Sequence, residues 1–293
     1  MKIAVGLPAY NEEKNIASIL TKLENVADIL IVCDDGSHDL TGKIASKMGA
    51  TVITHEKNRG YGAAIQSLFL KSKELDVDVL VTFDADGQHD VKDIQKVVSP
   101  ISEKKADLVI GSRFLNDSQD NIPSYRKTGI KIITKLTNTT LNENIKDSQS
   151  GFRAYSKEVL SKIIPTDDGM GISSEILIKT SNNDFKIAEV PINISYEGDT
   201  STHHPVSHGM SVTLSTLKFI SIEHPLRFYG IPGIGFLIIG LIFTVFTLQL
   251  FSETREIVTN VSLLAIGTII FGTMLLMTSI ILYSIANLVR ERN

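Results

Sequence analysis

Hydrophobic and polar positions divide this chain into two unlike parts. In the first half, short apolar runs alternate with segments of helical periodicity. Ile3 to Leu7, Ile29 to Val32, Thr51 to Thr54, Val77 to Phe83 and Leu108 to Ile110 read as strands. Helix candidates near residues 13–24, 40–48, 61–72 and 90–98 lie between them. Such alternation predicts an α/β architecture, a mostly parallel sheet with helices on both faces. In these sheets ligands bind beyond the carboxyl ends of the strands. The polar clusters Pro8 to Glu12, Asp34 to Ser37 and Asp84 to His89 fall there, after the first, second and fourth strands.

The C-terminal part has another pattern. From Phe228 to Ser252, and again from Ile257 to Val289, no residue is charged. Each run supplies the roughly 20 residues that cross a bilayer as a helix. The polar break Ser252-Glu253-Thr254-Arg255-Glu256 reads as a tight hairpin between antiparallel spans at about 230–251 and 258–284. The competing reading, two core helices of a soluble protein, fits less well, because core helices rarely run so long without a charge. Arg227, Arg290 and Arg292 flank the outer ends, while Arg255 alone sits in the hairpin. By the positive-inside rule the N-terminal part and the C-terminus are then both cytoplasmic. The expected division is a domain at 1–205, an amphipathic helix and linker at 206–227, and the hairpin at 228–293.

Composition narrows the classes. A net charge of −4 leaves no nucleic-acid footprint. The one cysteine, Cys33, ends the apolar run Ile29 to Cys33, so a buried thiol and no internal disulfide are expected. The apolar stretch before Pro8 is too short for a secretory signal core. Arg126 to Leu136 carries Lys127, Lys131 and Lys135 at helical spacing, and Met210 to Ile222 is a second amphipathic candidate. Basic amphipathic helices often lie on anionic membrane surfaces, but plain surface helices look the same.

The strongest chemical signal is Asp84-Ala85-Asp86-Gly87-Gln88-His89, directly after Val79 to Phe83. Two carboxylates two residues apart at a strand's end can converge on one hard cation, and Gln88 can add a carbonyl oxygen. A divalent ion there would neutralise a diphosphate and stabilise its departure. A carboxylate of Asp34-Asp35-Gly36-Ser37 can accept hydrogen bonds from a base or a ribose; alternatively Ser37 or Asp39 caps the next helix. In Asn58-Arg59-Gly60-Tyr61-Gly62-Ala63-Ala64 the glycines permit close backbone approach, and Arg59 supplies a planar donor for phosphate or ribose. Gly111-Ser112-Arg113 brings Arg113 to the same edge. Asp147-Ser148-Gln149-Ser150-Gly151-Phe152-Arg153 places a carboxylate and an arginine around a glycine turn. An ordinary solvated turn is the plain alternative for each.

Taken together, Pro8-Ala9-Tyr10-Asn11-Glu12, Asp34-Asp35-Gly36-Ser37, Asn58-Arg59-Gly60-Tyr61-Gly62, Asp84-Ala85-Asp86, Gly111-Ser112-Arg113 and Ser150-Gly151-Phe152-Arg153 resemble, in order and spacing, family-2 inverting glycosyltransferases. The subgroup that looks closest is the dolichyl- and polyprenyl-phosphate mannose and glucose synthases. The resemblance covers roughly residues 1–200. It implies a GT-A (Rossmann-like) fold, a nucleoside-diphosphate-sugar donor (GDP-mannose or UDP-glucose) and Mg2+ or Mn2+. By position, Pro8, Tyr10, Glu12 and Asp35 should surround the nucleoside, with Asp34 close by; Arg59, Gly60 and Ala85 join the donor set. Asp84 and Asp86 match the family's metal and diphosphate element, and Gln88 matches a metal ligand of the subgroup. Arg113 and Arg126 match arginines near the donor and acceptor phosphates, and Arg153 and His203 are assigned with them to the acceptor phosphate. Downstream the pattern departs. Where the family often carries basic residues, this chain reads Tyr196-Glu197-Gly198-Asp199-Thr200-Ser201-Thr202-His203-His204. His203, His204 and His208 can substitute for them; a zinc cluster, the other reading, lacks supporting cysteine or carboxylate spacing.

The implied reaction is inverting transfer of a hexose, mannose before glucose, to a polyprenyl (dolichyl) phosphate on the cytoplasmic membrane face, by a monomer or an oligomer. A lipid monophosphate is already ionised near neutral pH, so positioning and electrostatics carry most of the rate. A sugar hydroxyl as acceptor would need a carboxylate base, and Asp147 is the candidate for that role, or for orienting the acceptor. The expected catalytic set is therefore Asp84, Asp86, Arg113 and Asp147. The competing functions are transfer to a glycolipid or polysaccharide, and an inactive nucleotide-binding membrane scaffold. Processive synthases of the polysaccharide kind usually carry a Gln-x-x-Arg-Trp element, and this chain has no tryptophan.

Overall fold

Apolar runs too short for helices and bounded by turn residues pair into one seven-stranded sheet in the computed structural model. The structure describes residues 1–85, 87, 89–115, 124–192, 214, 217–218, 220–222 and 224–290. The strands are β1 (Ile3–Ala9), β2 (Ile29–Asp34), β3 (Thr51–Thr54), β4 (Val79–Thr82), β5 (Leu108–Ser112), β6 (Arg153–Ser156) and β7 (Ile187–Pro191). Their order is β3-β2-β1-β4-β6-β5-β7. The first five occupy the runs read from the sequence. β6 is antiparallel to both of its neighbours, β4 and β5, and every other pairing is parallel. The sheet is thus mixed and mostly parallel, as expected.

Helices α1 (Ile16–Leu23), α2 (Thr41–Lys47), α3 (Tyr61–Glu74), α4 (Ile94–Ser102), α5 (Ser124–Asn138), α6 (Lys157–Lys162) and α7 (Ile172–Asn182) accompany the strands. The period-2 pattern of β1 sorts them into layers. Val5, Leu7 and Ala9 join one core with Ile16, Ile19, Leu20 and Leu23 of α1, and with Ile94, Val97 and Val98 of α4. Ala4 joins the opposite core with Leu68 and Phe69 of α3, Val159 and Leu160 of α6, and Ile172, Ile176 and Leu177 of α7. The helix expected at 90–98 begins later. Asp90 accepts a hydrogen bond from the Lys92 N–H at 3.0 Å and caps a 3-10 turn, Val91–Asp93, from which α4 continues.

The chain forms two compact units, Met1–Thr216 and Leu217–Asn293. Most of the linker expected at 206–227, and most of the helix expected at Met210 to Ile222, lie outside the described residues. The second unit holds a π-helical turn (Leu226–Gly230) followed by α8 (Ile231–Thr254) and α9 (Thr259–Arg290). Leu226–Thr254 spans 29 residues, roughly 43 Å at about 1.5 Å per residue, ample for a hydrocarbon core near 30 Å. Only 6% and 17% of the most apolar windows of the two helices are buried. Such exposure does not fit core helices, because a core helix hides most of its surface. Long, apolar and exposed, the pair fits a membrane hairpin. Gly233 and Gly272 meet at the crossing: a Cβ on either would lie about 3 Å from the other's carbonyl oxygen.

Leu68 is fully buried where α3 meets the sheet, against Gly6. Leu68→Ala should destabilise the first unit by about 2–5 kcal/mol. Thermal unfolding of the full chain in detergent, followed by near-ultraviolet circular dichroism, reads this directly; an unchanged midpoint would contradict the packing.

Candidate active site

The carboxyl ends of β1, β2, β4 and β5 share one edge of the sheet, and the expected site residues gather on the loops leaving it. The first two loops are laced together. The Asn11 N–H donates to Ser37 Oγ at 2.9 Å, the His38 N–H to Asn11 Oδ1 at 2.9 Å, and the Glu12 N–H to Thr41 Oγ1 at 2.8 Å. Asn11 takes a left-handed conformation, φ 57°, which asparagine tolerates. Tyr10, at the tip, is 41% exposed, with its ring edge-on to His38. Pro8 stays in β1, half-buried beside Cys33. Asp34 is buried and accepts the Ser37 N–H at 3.0 Å.

Asp35 does something the sequence did not suggest. Its carboxylate accepts the backbone N–H groups of Arg59 (3.0 Å) and Gly60 (2.8 Å), and its Oδ1 lies 2.6 Å from His55 Nδ1. With the residue 4% exposed, it anchors the next loop rather than offering an open face to a nucleoside. The glycines after it permit close backbone approach, as expected. Their closeness is used by the chain itself: a Cβ on Gly62 would collide with the Asp167 carbonyl oxygen. The Gly62 and Ala63 N–H groups donate to the Asp168 carbonyl at 2.9 and 3.3 Å. Buried Glu175 holds that outer loop, accepting the N–H groups of Thr166 and Asp167, both at 2.8 Å. Lys179 neutralises Glu175 at 2.6 Å. Arg59 itself is exposed.

Asp84 follows β4 with its side chain 30% exposed and its Oδ2 3.2 Å from His89 Nε2. The His89 ring packs between Phe83 and Phe152. Gly151 lies directly against this carboxylate. A Cβ there would stand 2.9 Å from both Asp84 oxygens and 2.7 Å from the Tyr61 hydroxyl. Tyr61, at the start of α3, thereby links the Asp84 side of the edge to the Arg59 turn. Ala85 is buried in the core on the α1 and α4 side of the sheet. Asp86 and Gln88, the other expected metal ligands, lie outside the described residues, and among the described residues no three metal-ligating side chains converge. Among the described residues of this loop, Asp84 presents hard carboxylate oxygens of the kind Mg2+ or Mn2+ takes.

Two assignments need correction. Asp147 cannot act as an open general base, because its side chain is fully buried and gripped by Arg113 through two bonds of 2.7 Å. Burial pushes its carboxyl upward, but the charge and hydrogen bonds of Arg113 overcome this and hold it below the ordinary carboxylate value. It is a positioning partner for Arg113. Arg153 is 1% exposed and spends its guanidinium on the carbonyls of Ser148, Ser150 and Ser173, at 2.7–2.8 Å. It shapes the 148–152 turn and has no surface for an acceptor phosphate. The Arg126 side chain and His203, His204 and His208 lie outside the described residues; the backbone of Arg126 belongs to α5. A cleft of about 410 Å³ lies along α5, floored by Phe114, Thr134 and Ile145 and rimmed by Lys131, Lys135 and Lys146.

Sequence reading passed over Tyr61, His55 and Gly151 as site residues; their role appears only once distant segments meet. Gly151→Ala should push the ends of Asp84 and Tyr61 aside at little cost in stability, since both are side-chain termini. Misplacement of this size at a reacting centre costs on the order of 10²-fold in rate. Turnover of the variant, measured beside its melting temperature, checks this; full activity would show that Asp84 need not sit where it does.

The family description "Glycosyl transferase family 2" matches residues 4–164. A UDP-N-acetylglucosamine–dolichyl-phosphate N-acetylglucosaminyltransferase of Methanococcus voltae is 36% identical over 230 residues, covering 71% of this chain and 89% of the relative. A dolichyl-phosphate hexose transferase of Haloferax volcanii is 32% identical over 227 residues, covering 77% and 96%. Among solved structures, glucosyl-3-phosphoglycerate synthase from Mycobacterium tuberculosis, in complex with Mn2+ and UDP-glucose, superposes with a TM-score of 0.59. It is 24% identical, over 74% of this chain and 78% of that one, and shares the fold. A sheet of this topology, an acidic strand end and relatives of this closeness agree: the chain belongs to glycosyl transferase family 2.

Proposed function

We propose that this glycosyltransferase moves a hexose from a nucleoside-diphosphate sugar to a polyprenyl phosphate at the cytoplasmic membrane face. The observation that carries the reading is the partly exposed Asp84 carboxylate at the end of β4, in a chain that also has two exposed helices of membrane length. The two relatives support it, since their names share dolichyl phosphate and differ in the sugar. Mannose is favoured, with glucose next; GDP-mannose or UDP-glucose is the corresponding donor.

Asp84, Asp86 and Gln88 would hold Mg2+ or Mn2+, which would supply positive charge to the departing diphosphate. Tyr10 offers an exposed ring to the base, and Arg59 an exposed guanidinium to phosphate or ribose. Asp147 keeps Arg113 in one orientation beside the same edge. Arg126 is the candidate for the acceptor phosphate. With the acceptor oxygen already ionised, no general base is required, consistent with the burial of Asp147.

The deciding experiment offers the purified full chain GDP-mannose, UDP-glucose and UDP-N-acetylglucosamine with a polyprenyl phosphate. One donor should yield a lipid-linked sugar, and a chelator or Asp86→Ala should cut the rate by roughly 10²-fold or more. Efficient transfer to a water-soluble sugar or a glycolipid, with the lipid phosphate ignored, would overturn the acceptor; no turnover with any donor would leave a nucleotide-binding scaffold. The orientation has its own check. Arg227 precedes the first span and Arg255 lies between the two. Glu253→Cys, in the hairpin, should react with an impermeant maleimide added outside intact cells, and labelling only after lysis would reverse the topology.

A further inference from the structure

His55 follows β3 and is buried among groups that the proposed chemistry does not use. Its backbone N–H extends the pairing with β2 by donating to the Asp34 carbonyl at 2.9 Å. The ring reaches three other side chains. Nδ1 lies 2.6 Å from Asp35 Oδ1, and Nε2 lies 2.8 Å from Ser67 Oγ on α3 and 3.7 Å from Cys33 Sγ on β2. Both the His55 and Asp35 side chains are 6% exposed, so water does not compete for these bonds.

The Asp35 carboxylate can only accept, which places a hydrogen on Nδ1. Burial, with Asp35 nearby, pushes the Cys33 thiol up to about 12, so it keeps its proton. Nε2 faces the Ser67 hydroxyl and the Cys33 thiol. Nδ1 carries the hydrogen and donates it to Asp35. The same Asp35 oxygen also takes the Arg59 N–H, while the other takes the Gly60 N–H. Rotation of the carboxylate would break both backbone bonds. The ring, itself held by α3 through Ser67, selects the one orientation that keeps them.

We propose that His55 is a positioning residue for the sugar-nucleotide donor: through Asp35 it sets the backbone of Arg59 and Gly60, and with it the exposed guanidinium at the site's edge. The proposal rests on the reading that the Arg59 turn meets the donor. A merely structural histidine would affect stability and all kinetic constants alike; a positioning one acts on the donor alone.

The test measures kcat and both KM values for the full chain in detergent, with polyprenyl phosphate and whichever of GDP-mannose, UDP-glucose and UDP-N-acetylglucosamine it turns over, alongside melting temperatures. His55→Leu has comparable bulk and no donor, and should raise the donor KM by roughly 10-fold or more, the order of a lost bond to a charged group. The kcat at saturating donor and the acceptor KM should stay within about 2-fold, well inside that loss. His55→Asn, whose side-chain N–H can take the place of Nδ1–H, should restore most of the donor affinity. Arg59→Ala separates the two levels of the argument. A raised donor KM in Arg59→Ala with none in His55→Leu overturns the positioning role while the turn keeps its contact with donor. No effect in either variant removes the donor reading of the turn as well. If His55→Leu does not fold, Ser67→Ala, which removes only the support at Nε2, should raise the donor KM in the same direction; an unchanged value there overturns the proposal.

Discussion

One strand running against its neighbours determines the geometry of this site. Had β6 run parallel to β4 and β5, its approach would enter at the far edge of the sheet. Because it is antiparallel, the 147–152 segment enters at the carboxyl ends of β4 and β5. The Thr82 hydroxyl donates to the Gly151 carbonyl at 2.6 Å and fixes that entry. Asp84 therefore finds a glycine against its carboxylate, and Arg113 finds Asp147 within reach of both of its donating nitrogens. The charge pair survives in the dry interior because the carboxylate is doubly bonded and its own N–H is taken by Glu189 at 2.9 Å. Breaking such a pair from one side leaves an uncompensated buried charge, at about 3–5 kcal/mol.

The turn at Arg59–Gly62 is held by the same economy of backbone bonds. On one side Asp35 takes two N–H groups; on the other the Asp168 carbonyl takes two more. Four N–H groups around the start of α3 are thus satisfied within the protein and are not available as a phosphate cradle. What the turn offers a ligand is side chains, Arg59 above all. The anion-binding capacity of the edge consequently depends on discrete cations and on any bound metal, not on a helix end.

Much of this was legible in the sequence, and the exceptions have physical causes. β1 to β5 were readable because both faces of the sheet are covered, which makes each strand an apolar run between turn residues. β6 and β7 were not, since strands of four and five residues that include Arg153 and Glu189 resemble loops. Arg153 was misassigned because arginine is ordinarily exposed. Burying it takes three carbonyls, one of them on Ser173, twenty positions away. Asp147 was misread for a similar reason: its partner stands 34 residues earlier. The glycines of the Arg59 turn were rightly seen to permit close approach, but the approaching group is the 167–169 loop, more than a hundred residues downstream. The spans were the easiest element, because an uncharged run of membrane length has few other uses.

The burial of the Arg113–Asp147 pair has a consequence for how the protein responds to ionic strength. Mobile ions screen exposed charges over a distance of about 8 Å at physiological salt, but they reach a buried pair poorly. The lysines rimming the α5 cleft are exposed, so any anion they attract is attracted less as salt rises. The arginine that faces the strand ends keeps its orientation throughout. Capture and geometry are therefore decoupled: a change in the surrounding salt alters how often anionic ligands arrive, and leaves the arrangement that receives them unchanged.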